Sequence, residues 1–319
     1  IMHHKTTALA TVEVASMNAQ ELVSNFENYY RQFSANPPGE FKTYVIKGSN
    51  AADKIKSFCQ LLDKNQIRYG TINKATSMNA YDFQTGKQNN IQVSPGDLVI
   101  SAYQPFAVFT QVLLDPYTEV VDSNTYDITA WSLPYAYGLE TYAGKQKIEV
   151  SQPFSFPEVP AIKTGTEKPY AFLLRWEGLK DAKFLAAILQ AGIKVRFAND
   201  PFGLEGKNFD RGTLIITRED NRKQENTYLT LVPRLAKEHG QELHAANTGF
   251  SANGKDLGSG FMSFLKTPKV ALLGGEGVSP NSFGQVWYFF EQDLNYPVHI
   301  HDATNMGRFD LDEYEVLIM

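Results

Sequence analysis

The sequence contains a single cysteine, Cys59, and its apolar runs are no longer than a β-strand. One cysteine cannot form an intrachain disulfide. Without a Cys-x-x-Cys neighbour it does not indicate a zinc site either, so we interpret it as a core thiol. A membrane-spanning helix needs about 20 apolar residues, and no stretch reaches that length. No long basic run occurs and the net charge is −5, which argues against nucleic acid as a partner.

Catalytic signatures are also lacking. The chain has no Gly-x-Ser-x-Gly nucleophile elbow, and Cys59 falls inside a predicted helix, so no serine or cysteine triad is indicated.

The start, IMHHKTTALA, does not have the charged region, apolar stretch and cleavage site of a signal peptide. The end, EYEVLIM, is typical of a buried strand. Because the sequence stops within this strand, we expect the chain to be a piece of a longer polypeptide with a truncated last domain.

The sequence does contain enough apolar material for two or three domains, with 319 residues of which 43% are hydrophobic and 13% aromatic. Strand, helix and strand patterns recur along it. The first unit runs from FKTYVIKG (41–48) through a helix to SPGDLVISA (94–102). The second runs from KPYAFLLRW (168–176) to FDRGTLIITRED (209–220). A third unit begins at TPKVALLGG (267–275), so a repeated architecture is predicted.

A strand, a crossover helix and a second apolar strand usually form a parallel sheet with helices on both faces. The strands LVIS, LIIT and VLIM show no polar alternation, as expected for strands that are covered on both sides. We therefore predict an α/β fold of repeated βαβ units with doubly wound, flavodoxin-like or Rossmann-like parallel sheets. The predicted divisions are a helical connector (1–40), two α/β domains (41–150 and 151–262) and the start of a truncated third domain (263–319).

The segment HGQELH, from His239 to His244, is the clearest candidate for a metal site. Its His-x-x-Glu spacing, ending at Glu242, is one by which some zinc enzymes take two ligands from one segment. His299 or His301 could supply a third ligand. A glycine interrupts the segment, and too few residues follow the last histidine to supply the usual downstream carboxylate. We therefore favour a helix end whose histidine lies near the helix dipole, and we predict no metal ligand in this chain.

A glycine-rich turn, GGEGVSP (274–280), separates the strand VALLG from the next helix, with Ser279 as the predicted N-cap and Pro280 as the first helical residue. Backbone N–H groups at a helix start can bind an anion, so Gly275 and Gly277 are candidate binding residues. The turn lacks the third glycine of Gly-x-Gly-x-x-Gly and the Lys-Ser/Thr of a P-loop. We favour the alternative, a tight turn that needs glycine for positive φ.

Two further polar groups follow predicted strands. The alternation in HIHD (299–302) could place both histidines on one side at the carboxyl end of a strand, where α/β folds often bind ligands. A surface pair without metal is the simpler interpretation. Asp220, Asn221 and Arg222 follow the LIIT strand at a similar edge. For these we favour helix capping by Asp220 or Asn221 over a binding role.

The stretch DSNTYDITAWSLPYAYGL (122–139) fits neither a regular strand nor a regular helix. We favour a clasp, in which buried aromatic rings, each contributing about 1.5–3 kcal/mol, join the first domain to a neighbour. The alternative is a ligand platform in which Trp131 and Tyr137 are exposed stacking surfaces. The candidate binding residues of this segment are Asp122, Ser123, Tyr126, Asp127 and Trp131.

Two long strings resemble known proteins. DPYTEVVDSNTYDITAWSLPYAYGLETY (115–142) is similar to a segment downstream of the catalytic domain in large bacterial zinc carboxypeptidase-like proteins, which are related to carboxypeptidase A. KVALLGGEGVSPNSFGQVWYFFEQDLNYPV (269–298) resembles their C-terminal region, which is similar to a class I glutamine amidotransferase-like, flavodoxin-type domain. The resemblance covers most of the chain from Phe41 onwards.

The resemblance implies a parent that binds zinc in its catalytic domain, removes C-terminal residues from peptides and is exported to the periplasm or the extracellular space. The zinc motif of that family would lie upstream of Ile1, and the nucleophile of an amidotransferase-like domain would lie beyond Met319. We therefore expect an accessory, non-catalytic region that scaffolds the upstream peptidase domain or helps to bind its peptide substrate, with no cofactor of its own. The alternatives are a module that binds a small molecule, anion or carbohydrate, and an amidotransferase-like enzyme.

Overall fold

The computed structural model describes residues 2–117, 131–156 and 168–319. Contacts between residues group the chain into two compact units, 1–157 and 158–319. The first unit contains, in chain order, α1 (Met2–Met17), α2 (Ala19–Ala35), β1 (Thr43–Ile46), α3 (Ala52–Lys64), β2 (Thr76–Asp82), β3 (Lys87–Val93), β4 (Leu98–Ser101), α4 (Ala107–Leu114), α5 (Leu133–Ala136) and β5 (Thr141–Gly144).

The first unit is built around an antiparallel sheet with strand order β3-β2-β5-β1-β4. Strand β1 is central, because Tyr44 pairs with Ile100 on β4 and with Ala143 on β5. Successive residues of a strand point to opposite faces. Tyr44 and Ile46 therefore pack with α3, while Val45 packs with β2 and β4 on the other side. Every residue of β1 is buried as a result.

Helices α1 and α2 precede this sheet, and neither contains a buried residue. The apolar face of α2 is exposed at Leu22, Val23 and Phe26. Near its carboxyl end, Tyr30 contacts Phe106 edge to face, with ring centroids 5.7 Å apart. Among the described residues of the unit, the apolar face of α2 is thus covered only near this end.

The second unit contains a longer series of elements. In chain order these are β6 (Ala171–Leu174), α6 (Leu179–Gln190), β7 (Arg196–Ala198), β8 (Phe202–Leu204), β9 (Lys207–Phe209), β10 (Leu214–Thr217), α7 (Glu225–Glu238), β11 (His244–Ala246), β12 (Met262–Phe264), β13 (Val270–Gly274), α8 (Pro280–Tyr288), β14 (Val298–Asp302) and β15 (Val316–Ile318). Short 3-10 helices span Arg222–Gln224, Ala303–Arg308 and Leu311–Glu313, and a π-helical turn spans Phe289–Asp293.

The larger sheet of the second unit has strand order β11-β6-β10-β7-β12, and each of its pairings is antiparallel. Phe172 and Leu174 of β6 pack on one face with Phe184 of α6 and Tyr228 of α7. Leu173 points to the opposite face, where it packs with the hairpin formed by β8 and β9. The strands of this sheet are therefore also covered on both sides.

Both units share one pairing scheme. In the second unit, β10 lies between β6 and β7. In the first, β4 lies between β1 and a bridge that Gly70 forms with Val99. The next position in the sheet corresponds as well. In the second unit β12 pairs with β7, and in the first unit Gln152 pairs with Thr71, the residue after Gly70. The repeat in the sequence thus coincides with a repeated order of strands.

The fold is mixed α/β, and the predicted doubly wound, flavodoxin-like or Rossmann-like parallel sheets are wrong for both five-stranded sheets. Strands β6 and β7 are joined by α6 and run in the same direction, but β10 lies between them and is antiparallel to both. LVIS and LIIT are covered on both faces, whereas β15, from the run VLIM, is exposed at Val316 and half-buried at Leu317 and Ile318, so the prediction of a buried strand there is wrong. An apolar run without polar alternation thus indicates at most that a strand is covered. It carries no information about the direction of the neighbouring strands, so the prediction of parallel pairing did not follow from it.

A smaller sheet follows in the second unit, with strand order β14-β13-β15 and two parallel pairings. The chain passes from β13 through α8 to β14 on one side, and then reaches β15 on the other side. This sheet packs on α6, because Ala186 contacts the cluster that contains Val270 and Tyr296. The observed units divide the chain at 157. The predicted domain limits at 150 and 262 remain predictions.

The packing of α8 on β13 can be tested with two substitutions that each add one methyl group. In Gly274→Ala the added Cβ would lie 2.8 Å from the ring of Phe283, so we expect the free energy of unfolding to fall by about 1–3 kcal/mol. Gly284→Ala places its methyl group in open space on α8 and should stabilise the protein by up to about 1 kcal/mol. Urea denaturation measures both changes, and equal stabilities of the two variants would contradict this packing.

Candidate functional site

Only one of the candidate residues in the aromatic segment lies in the described part of the chain. Asp122, Ser123, Tyr126 and Asp127 lie outside the described residues, so the structure does not place them. Trp131 is described, and 75% of its surface is exposed. Trp131 is therefore a ring that a ligand or a partner could reach.

The two tyrosines that follow Trp131 pack within the first unit. Tyr135 lies against Phe83, with ring centroids 5.0 Å apart, and Tyr137 lies edge to face against Phe58 at 5.5 Å. Aromatic pairs at these separations stabilise the core beyond the area that they bury. Tyr137 is thus a packing residue, and it does not form an exposed platform together with Trp131.

Gly275 and Gly277 form the turn between β13 and α8. Their φ angles are +93° and +88°, in the left-handed region that glycine adopts without strain. The hydroxyl of Ser279 caps α8 by accepting a hydrogen bond from the backbone N–H of Ser282 at 3.4 Å. The turn lies at the carboxyl end of the central parallel strand, where the chain connections diverge. Parallel sheets commonly bind ligands at such a position.

A carboxylate lies beside this turn. A Cβ at Gly275 would be 3.0 Å from the carboxyl group of Asp302. Asp302 accepts hydrogen bonds from the hydroxyl and the backbone N–H of Thr304, at 2.6 and 2.8 Å, and these bonds lower the pKa of Asp302. Glu276 in the turn adds a second acidic residue. Negative charge at this turn repels an anion. The structure therefore supports an anion site less strongly than the glycine pattern in the sequence does.

Asp220 and Asn221 hold loops together rather than cap a helix. The guanidinium of Arg196 donates two hydrogen bonds to Asp220, at 2.7 and 2.8 Å, and the hydroxyl of Thr217 donates a third at 2.6 Å. Burial alone would raise the pKa of Asp220, but these bonds outweigh it and lower the pKa. The side chain of Asn221 bonds to both the backbone N–H and the carbonyl of Lys194.

The remaining polar candidates lie nearer the surface. Arg222 forms an exposed ion pair with Glu219 at 3.2 Å. His299 and His301 both reach the hydroxyl of Tyr314, at 3.0 and 2.9 Å. The two histidines therefore lie on one side of β14, as the alternation in HIHD indicates.

The segment HGQELH runs from the end of α7 to the start of β11. His239 follows the last turn of α7, where its backbone N–H donates to the carbonyl of Leu235 at 2.9 Å, and burial lowers the pKa of its imidazole. His244 lies on β11, engaged with other residues. Within the described ranges, no three His, Cys, Asp or Glu side chains are arranged to hold a metal ion. The described residues of this segment therefore offer no ligand set for zinc.

His244 belongs instead to a cluster that the sequence did not reveal. Its Nε2 lies 3.2 Å from Oε2 of Glu205, and its Nδ1 lies 3.4 Å from Nζ of Lys207. Because an ammonium group can only donate, Nδ1 accepts, and the ring proton resides on Nε2 facing the carboxylate. Nε2 is buried and its geometry is too poor for a hydrogen bond, so the contact with Glu205 is electrostatic. The cluster connects β11 to the hairpin of β8 and β9.

The hairpin turn explains how Glu205 reaches His244. The φ angles of Glu205 and Gly206 are +48° and +75°, as in a type I′ turn. Such turns favour Asn, Asp or Gly at the first position, so glutamate is unusual there. Its Oε1 accepts a hydrogen bond from the backbone N–H of Asn247 at 2.9 Å, which holds the carboxylate in place. The Glu-Gly pair within FGLEGKNF was the signal that could have located this turn.

The charges around His244 predict opposite effects of two substitutions. The pKa of His244 is lowered, first by burial and then by the positive charge of Lys207, whereas the charge of Glu205 acts in the opposite direction. We expect Lys207→Met to raise the pKa of His244 and Glu205→Gln to lower it further. An NMR titration that follows the imidazole resonances of His244 measures both shifts.

The same substitutions should change the response to acid. The folded pKa of His244 is lower than the unfolded value of about 6.5, so unfolding takes up a proton. The stability of the neutral form is present above about pH 6.5 and is lost as the pH falls toward the folded pKa. Glu205→Gln should widen this window and Lys207→Met should narrow it. Shifts of the same sign in the two variants would contradict the arrangement.

Comparisons with known proteins do not assign the chain to a family. No family model matches it, and no significant match was found among curated proteins or solved structures. The part of the chain that the structure describes contains no helix with both the length and the apolar character needed to cross a bilayer. The function is therefore inferred from the residues of the chain and from the resemblance of its two long strings.

Proposed function

We propose that this chain is an accessory, non-catalytic region of a zinc carboxypeptidase-like protein, in which it acts as a scaffold or as part of the substrate-binding surface. The strings at 115–142 and 269–298 support this family. The parent would hydrolyse C-terminal peptide bonds in the periplasm or outside the cell, with zinc bound by its catalytic domain. The partners of this region would be an upstream peptidase domain of the same polypeptide and the peptide substrate.

The scaffold role is supported above all by carboxylates that hold loops. Asp97 accepts hydrogen bonds from the backbone N–H groups of Gly48 and Ser94, at 3.0 and 2.9 Å. It also accepts one from the ammonium group of Lys47 at 2.5 Å. These bonds join the end of β1 to the loop before β4. A carboxylate whose oxygens already receive structural hydrogen bonds is poorly placed to serve as a general base or a metal ligand.

The second unit uses its carboxylates in the same way. Asp220 joins the end of β10 to β7 through Arg196. Asp181 accepts hydrogen bonds from the backbone N–H groups of Glu177 and Gly178, at 2.5 and 2.7 Å, and so shapes the entry to α6. Because such bonds recur in both repeats, the polar side chains are best explained as parts of a rigid frame.

A cleft in the second unit favours a second candidate function, the binding of a small hydroxylated molecule such as a carbohydrate. The cleft has a volume of about 340 Å³ and is lined by Tyr170, Phe250, Asp256 and Ser259 together with two glycines. An aromatic face can pack against a sugar ring, and a carboxylate accepts hydrogen bonds from hydroxyl groups. Phe250 is 79% exposed, so its ring is available for such a contact.

The accessory role predicts that the chain does not trim peptides. Incubated with Zn²⁺ and peptides that carry free C-termini, it should leave the peptide masses unchanged, because the described residues offer no His and Glu set for catalytic zinc. Mass spectrometry of the peptides over time provides the measurement, with an active zinc carboxypeptidase as the positive control. Release of C-terminal residues that a chelator abolishes would contradict the proposal.

Titration calorimetry with the same peptides distinguishes the two accessory roles. Saturable binding that is lost when the C-terminal carboxylate is amidated would favour a substrate-binding part. Heats no larger than those of dilution would favour a scaffold. Binding of saccharides that Phe250→Ala removes, without any peptide binding, would favour the second candidate function instead.

A further inference from the structure

Three aromatic side chains of the small parallel sheet converge at one point. His299 and His301 are alternate residues of β14, and Tyr314 lies two residues before β15. Nδ1 of His299 lies 3.0 Å from the hydroxyl of Tyr314, and Nε2 of His301 lies 2.9 Å from the same atom. Two imidazole nitrogens are thus each within contact distance of the same phenol oxygen.

The backbone holds these groups in register. Ala271 of β13 pairs with His299 on one side and with Leu317 on the other. Directly paired residues of parallel strands point to the same face, so His299 lies on the face of the sheet that Ala271 and Leu317 share. His301 also stacks on Phe309, with centroids 4.1 Å apart and an angle of 15° between the rings. The orientation of this imidazole is therefore set by packing.

Burial does not explain why both imidazoles contact the same hydroxyl oxygen. His299 is exposed and His301 is half-buried, so water could satisfy the nitrogens of both rings. A phenol hydroxyl donates only one hydrogen bond. When both imidazoles are neutral, one accepts from Tyr314 and the other donates to it. The arrangement thus brings together three polar atoms at a place that solvent can reach.

The distances match the spacing of ligands around a metal ion. Imidazole nitrogens bind first-row divalent ions at about 2.0–2.1 Å. Two ligands at that distance and at right angles are separated by about 2.9 Å. The two nitrogen–oxygen distances, 3.0 and 2.9 Å, are those expected for adjacent ligands in square or octahedral coordination. Since the group faces solvent, water can complete the coordination.

We propose that His299, His301 and Tyr314 form a surface site for a first-row divalent transition-metal ion, with Cu²⁺ preferred over Ni²⁺ and Zn²⁺. Mixed nitrogen and oxygen ligands at right angles suit the tetragonal geometry of Cu²⁺, which is also the strongest binder of the divalent series. From the sequence, HIHD was interpreted as a surface pair of histidines without metal. Tyr314 supplies a third ligand from 13 residues further along the chain.

Titration of the protein with Cu²⁺ tests this site, provided that the other histidines able to bind copper are removed first. His3 and His4 could bind copper on their own, so every arm carries His3→Ala and His4→Ala. In that background we expect one equivalent of Cu²⁺ to bind, with hyperfine coupling to two nitrogens in the electron paramagnetic resonance spectrum. Calorimetry should show an affinity order of Cu²⁺ above Ni²⁺ and Zn²⁺. The affinity should fall as the pH is lowered, because protons compete for the ligand atoms.

Single substitutions assign the ligands. His299→Gln and His301→Gln should each weaken Cu²⁺ binding roughly tenfold or more and remove one nitrogen coupling. Tyr314→Phe keeps the ring but should abolish any phenolate-to-copper absorption band and reduce the affinity. His239→Ala serves as the matched control and should bind copper like the background protein. Circular dichroism melting curves verify that each variant is folded.

Two outcomes would overturn the proposal. The first is unchanged copper affinity in the His299→Gln/His301→Gln double variant. The second is a background protein that binds no Cu²⁺, or that shows no nitrogen coupling. Neither outcome bears on the peptide-trimming test, which does not involve these side chains.

Discussion

Burial of both faces of the central strands is the constraint on which the rest of the structure depends. In β10, Leu214 and Ile216 enter the core under α6 and α7, while Ile215 between them enters the core under the hairpin of β8 and β9. In β1, Tyr44 and Val45 divide in the same way. Because two cores share one strand, the helical layer and the opposite layer are held by the same backbone. Because the strands are fixed in this way, the loops at their ends also have fixed positions. A single carboxylate can therefore accept hydrogen bonds from two such loops.

The two repeats differ in how their hairpins attach, and this difference creates a site. In the first unit, β2 joins the edge of the five-stranded sheet by pairing with β5. In the second, β8 and β9 form a separate two-stranded sheet. The separate hairpin turns through Glu205 and Gly206 and brings Lys207 to His244. One pairing scheme thus supports a continuous sheet in one repeat and a charged cluster in the other.

The small parallel sheet assembles groups from separate segments. Its carboxyl edge combines a glycine turn with the carboxylate of Asp302. One of its faces combines two histidines of β14 with Tyr314, which precedes β15. Here the parallel pairing predicted from the sequence is present, because α8 connects β13 directly to its neighbour β14.

Local patterns predicted much of the secondary structure, including β13, the cap at Ser279 and the positive φ angles of the turn glycines. They did not predict that β10 enters between β6 and β7, or that Glu205 meets His244. By itself the sequence determined where many of the helices and strands lie and which turns need glycine, because apolar periodicity, capping and glycine conformation act over a few neighbouring residues. Only the tertiary structure decided the direction of the strands and the partners of the polar side chains, because these depend on contacts between segments far apart in the chain.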